Sequence, residues 1–115
     1  MLGDFKNSKI YLKPGRTDFR KSVNGLSAIV EKNMRHNPFS GNLFVFCNRG
    51  RNRLKILYWD RNGFWLFYKR LEEEKFRWPK NTDEVMEIDR EKFIWLLRGL
   101  DFSKAHNDLS YASVS

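Results

Sequence analysis

Four basic residues alternate over seven positions in the middle of the chain: Arg49, Arg51, Arg53 and Lys55. On extended backbone, side chains two apart point to the same side. A row of guanidinium and ammonium groups at a hairpin tip can then follow a phosphodiester backbone, the arginines through bidentate contacts. Arg20 and Lys21, near the start of an apolar-periodic segment, and Lys69 and Arg70, at the end of an aromatic run, add four more cations. These eight residues form the candidate nucleic-acid-binding set. The competing explanation for each is a solvated loop or strand end. Against it, the loop from Asn48 to Arg53 contains no acidic residue.

Other chemistry finds little support. A metal nuclease needs clustered carboxylates, but Asp18, Asp60 and Asp101 are far apart in sequence. Asp18 suits a helix cap and Asp60 a turn. His36 and His106 are also widely separated. Cys47 is the single cysteine, which excludes an internal disulfide and a cysteine-based zinc site. No serine sits in a G-x-S-x-G context, and no glycine loop has P-loop spacing. The expectation is a non-enzyme without metal or cofactor.

These residues must be positioned by elements legible in the pattern. Ile10-Tyr11-Leu12, closed by Pro14-Gly15, predicts a strand and a turn. Phe19, Val23, Leu26, Val30 and Met34 recur at steps of four and three, which predicts an amphipathic helix over residues 18–35, capped by Thr17 or Asp18. Asn37-Pro38 stops it. Residues 43–47, 54–59, 64–71 and 76–78 then read as consecutive strands joined by connections too short for parallel crossovers. Asn81 to Glu87 reads as loop or edge strand. Asp89 begins a second helix, with Phe93, Leu96, Leu97 and Leu100 on its apolar stripe and Gly99 near its end.

The fold expected is α+β: an antiparallel meander of four to five strands with two helices packed on it. Residues 1–102 form one domain, and residues 103–115, with four serines, form a loose tail. If Asp60 pairs with Phe64 across a three-residue loop, Lys55 lies opposite Lys69 and Trp59 opposite Trp65. A two-residue Asn62-Gly63 turn shifts the register by one. Directly opposed lysines are unfavourable unless an anion sits between them. A basic, aromatic sheet face that stays open can stack bases; one covered by helices is simply core.

Composition sets the outer bounds. The 115 residues carry 22 Lys+Arg against 14 Asp+Glu, a net charge of +8, and 16% aromatics. The charge is lopsided: residues 1–80 hold 18 basic and 7 acidic residues, and residues 81–115 hold 4 and 7. Such an imbalance favours an anionic partner and says nothing about fold. No apolar stretch approaches membrane-spanning length, and the N-terminus lacks a signal-peptide core, so a cytoplasmic protein without membrane contact is expected.

Three segments carry a resemblance: IYLKPGRTDFRKSVNGLSAIV, residues 10–30; NPFSGNLFVFCNRGRNRLKILYWDRNGFWLFYKRLEEEKFRWP, residues 37–79; and LLRGLDF, residues 96–102. They resemble the second open reading frame product of the insertion sequence 66 family of bacterial transposable elements, the TnpB-type accessory proteins. The TD-R-K, PFSG-LFVF, KILYWD and G--LF-KRLE stretches keep their order and spacing. The resemblance implies an accessory role in DNA transposition beside a separate catalytic transposase, and brings no catalytic residue. The partners it implies are DNA and the transposase of the same element. The alternative is an adaptor that recruits or regulates the transposase without strong DNA binding of its own. Among the motif positions, Thr17, Asp18, Gly41, Tyr58 and Gly63 have plain structural explanations, whereas Arg20, Lys21, Lys55, Lys69 and Arg70 are harder to explain by packing. Oligomeric state is left open.

Overall fold

The computed structural model describes residues 7–102. Strand β1 (Ile10–Leu12) is followed by helix α1 (Val23–Lys32), then by strands β2 (Leu43–Cys47), β3 (Arg53–Asp60), β4 (Gly63–Arg70) and β5 (Met86–Ile88), and finally by helix α2 (Arg90–Leu97). The five strands form one sheet in the order β4-β3-β2-β1-β5. β2, β3 and β4 are the expected antiparallel meander. β1 runs parallel to β2, and β5 antiparallel to β1, so the sheet is mixed. The parallel pair is possible because α1 lies between β1 and β2 and supplies the crossover.

The central strand β2 is buried on both faces, which explains why it is apolar throughout instead of alternating. Phe44, Phe46 and Leu57 pack with Leu26, Val30 and Met34 under α1. Leu43, Val45, Cys47, Leu54 and Tyr58 pack with Leu96, Phe76 and Trp78 on the other side. The apolar stripe read at residues 19–34 therefore faces the core as expected. The helix itself is shorter than expected, and begins at Val23 with Ser22 as N-cap.

The late start has a local cause. The Asp18 carboxylate accepts from the Arg20 main-chain N–H and closes a turn there, so it caps no helix. The carbonyls of Phe19 and Lys21 accept from Lys55 Nζ, each at 2.9 Å, instead of aligning along a helix axis.

Residues 76–78 are no strand. Phe76 and Trp78 point inward and Arg77 outward, which reproduces strand periodicity, but the backbone joins no ladder. The segment is tethered by isolated hydrogen bonds: the Phe76 N–H donates to the Arg51 carbonyl, Pro79 accepts from the Gly15 N–H, and the Trp78 indole donates to the carbonyls of Lys13 and Gly15. Gly15 needs to be glycine, since its φ is +76° and a Cβ there would meet Asn81 at 2.3 Å.

The β3–β4 hairpin also departs from expectation. Asp60 pairs with Gly63, so the loop has two residues, Arg61 and Asn62, and the positive φ of +57° falls on Arg61. Lys55 consequently lies opposite Tyr68, and Trp59 opposite Phe64. An odd shift exchanges the faces of a whole strand. Lys69 is thus on the α2 side of the sheet and Lys55 on the α1 side. At the second helix, Asp89 caps as read, accepting from the Lys92 N–H at 2.8 Å, and Gly99 follows with φ +75°. The expected loose tail, residues 103–115, lies outside the described residues.

Candidate nucleic-acid interface

The β2–β3 loop is held rigidly. Asn48 Oδ1 accepts from the N–H groups of Asn52 and Arg53, and Asn48 Nδ2 donates to Asn52 Oδ1. The loop carbonyls of Arg51 and Asn52 accept from Phe76 and Leu71. Arg51 takes a left-handed φ of +58° to make the bend. The backbone is therefore not extended through the loop, and the three arginines do not form a row. Arg49 lines a groove with Arg16, Thr17, Asp18 and Phe19. Arg51 lines a different groove that also holds Glu74 and Asp101, so acidic residues from outside the loop do approach it. Arg53 heads β3 and faces Arg70 across the ladder.

The other candidates divide by partner. Lys55 donates to the carbonyls of Phe19 and Lys21 and lies over the Phe19 ring, 4.9 Å from its centroid. Lys69 Nζ donates to the Leu97 carbonyl. Arg20 forks onto Asp18 at 2.7 Å, and Arg70 pairs with Glu72 at 2.7 Å. The Arg20 hydrogen bonds hold the Asp18 carboxyl down at about 2. Lys21, Arg49, Arg51 and Arg53 are exposed and make no salt bridge among the described residues.

Sequence reasoning missed Arg16. It stands on the strap between β1 and α1, residues 13–19, and lines two grooves at once. One is the groove shared with Arg49. The other runs along α1 and brings in Lys13, Lys21 and Lys32. Burial lowers the pKa of Lys13. Neither Arg16 nor Lys32 could be found from spacing, because the parallel β1–β2 crossover brings Arg16 beside the loop and sets Lys32 in the groove along α1. The only signal was the +11 excess of residues 1–80, which locates no residue.

Except for the buried Tyr58, the aromatic residues of the β3–β4 hairpin are half-buried or exposed. Trp59 meets Phe39 and Phe64 edge-on, at centroid distances of 4.9 Å each. Phe39, Trp65 and Tyr68 stay exposed. The isolated carboxylates have structural occupations: Asp18 binds Arg20, and Asp60 accepts from the Trp65 indole at 3.3 Å. Among the described residues no three His, Cys, Asp or Glu side chains converge as a metal site would require.

The family model for the IS66 Orf2 like protein matches residues 8–107. The chain belongs to this family. The IS66 Orf2-like assignment extends across the strap, the sheet and α2, and ties the chain to insertion-sequence accessory proteins. Two curated relatives from Sinorhizobium fredii (strain NBRC 101917 / NGR234) are similar along nearly their whole length. Uncharacterized protein y4jC is 35% identical over 104 residues, which cover 90% of this chain and 89% of that protein. Uncharacterized protein y4hO is 34% identical over 102 residues, covering 89% of each. No solved structure matches. Among the described residues, no helix of this IS66 Orf2-like protein is long and apolar enough to cross a membrane.

Proposed function

We propose that this protein is a non-catalytic, cytoplasmic nucleic-acid-binding accessory factor that acts beside the transposase of its element. The observation that carries the reading is the groove between residues 16–19 and residues 48–49. Two elements distant in sequence put Arg16 and Arg49 on one concave surface. The carboxylate beside them, Asp18, is already bound to Arg20. A phosphodiester entering the groove meets two guanidiniums, with Lys21 and Lys32 continuing the positive surface along α1. Phosphate contacts of this kind fix position and carry little sequence information, so specificity has to come from the transposase or from exposed aromatic rings.

The test is titration of the purified protein against duplex DNA, single-stranded DNA and element ends at several salt concentrations. If four phosphates are neutralised on duplex, log affinity falls against log salt with a slope of about −3.6. Replacing Arg49, Arg51 and Arg53 together by Ala weakens binding on every sequence. Of the three only Arg49 lines the groove, so the slope flattens by about 0.9, the share of one phosphate contact. No salt-dependent binding by the folded wild type overturns the reading. The outcome then favours the adaptor, for which the exposed Trp65 and Tyr68 speak.

A further inference from the structure

The two edges of the sheet are unequal. β5 offers three residues, and α2 begins two residues after it. β4 offers eight, and among the described residues no strand pairs with its outer side. Alternate amides and carbonyls of an edge strand point away from the sheet and seek a partner. Soluble proteins blunt such an edge with Pro, a bulge or charge. From Gly63 to Tyr68 the strand has none of these, its ladder with β3 runs unbroken through eight pairs, and it exposes Trp65 at 45% and Tyr68 at 53% on its two faces.

The charges flanking this stretch identify the occupant. Arg61 precedes it, Lys69 and Arg70 end it, and Glu72, Glu73 and Glu74 follow. A parallel copy would stack each charge on itself. An antiparallel copy centred on Leu66 or Phe67 sets Lys69 and Arg70 against residues 62–65, where Phe64 and Trp65 offer aromatic faces. The same arrangement carries Glu72 of each copy, which already pairs with Arg70 of its own strand, toward Arg61 of the other. The strand is thus complementary to itself under a two-fold axis, as an isologous contact demands.

We infer that β4 is the dimerisation edge of this protein, pairing antiparallel with β4 of a second copy to make one continuous ten-stranded sheet. The inference is independent of nucleic-acid binding.

Sedimentation equilibrium on the full chain tests it. A reversible monomer–dimer equilibrium is expected, with a Kd below roughly 100 µM, as an interface of at least modest size gives. Trp65→Lys, at an exposed position, puts a cation near Lys69 of the other copy, and Tyr68→Lys, exposed on the opposite face, sets the two substituted cations on one face to either side of the two-fold axis. Each is expected to weaken association at least about tenfold, with the circular dichroism of the monomer unchanged. Hydrogen exchange in β4 should slow as protein concentration rises. A chain that stays monomeric to roughly 1 mM, or a dimer that both folded variants leave equally tight, overturns the inference.

Discussion

Lys69 Nζ lies 2.7 Å from the main-chain carbonyl of Leu97, the last residue of α2. A helix leaves its final carbonyls without internal partners and carries a partial negative charge at that end. Lys69 answers both needs from the neighbouring edge strand. Its conspicuous position in the family pattern therefore has a structural explanation. Replacing Lys69 by Met should destabilise the fold by about 1 kcal/mol and speed hydrogen exchange in α2, as measured by denaturant unfolding and amide exchange.

Lys55 should matter more. Its ammonium satisfies two carbonyls, Phe19 and Lys21, and lies over the Phe19 ring, so one side chain pins the strap to the sheet. Lys55→Met should cost about 2 kcal/mol, within the range for hydrogen bonds to charged groups. A loss below a few tenths of a kcal/mol in urea unfolding would show that the strap holds itself.

These two lysines show where sequence patterning stopped. α1, α2 and the three-stranded meander were legible from their apolar periods, and the short β1 from the Pro14-Gly15 turn that closes it, although the start of α1 was not. Register was not legible. It turns on whether the hairpin loop has two or three residues, and the left-handed position falls on Arg61, a residue type that does not signal it. One residue of register moved Lys69 from beside Lys55 to the opposite face. Periodicity misled at Phe76 and Trp78, because alternation reports which side chains are buried and not whether the backbone is paired. The Arg16–Arg49 groove was out of reach because a parallel crossover, which local spacing does not encode, brings its walls together.

The Asp18 carboxyl should titrate near 2, below its ordinary 3.8, because Arg20 hydrogen-bonds it through both side chain and main chain. A carboxyl depressed on folding stabilises the native state above its unfolded pKa, and that contribution is lost as pH falls from about 4 through about 2. Both groups are exposed, so the contribution to stability is small. Carboxyl NMR titration should show Arg20→Ala raising the Asp18 pKa toward its ordinary value.

Cys47 is fully buried between the meander and the α2 layer, and burial pushes its thiol up to about 12. The thiolate is the reactive form, so the folded protein at pH 8 should react with a thiol reagent only through opening. Labelling should accelerate with denaturant in step with unfolding. Rapid labelling of the native protein would show that the β2 end of the sheet opens by itself.

The cations of this protein divide into those that hold the fold and those left for a ligand, and binding measurements should separate them. Lys55 and Lys69 spend their donors on carbonyls, and Arg20 and Arg70 on carboxylates. Arg16 and Arg49 share one groove with no ion pair of their own among the described residues. If each contacts one phosphate, Arg16→Ala with Arg49→Ala should make the salt slope on duplex DNA shallower by about 1.8. Stability should move by less than about 0.5 kcal/mol. Lys55→Met and Lys69→Met should do the reverse, lowering stability and leaving the slope unchanged in protein kept folded. Equal slopes for the Arg16/Arg49 variant and wild type would remove this groove from the nucleic-acid path. A slope flattened by Lys69→Met would return β4 to that path, and with it the expectation that this lysine binds phosphate.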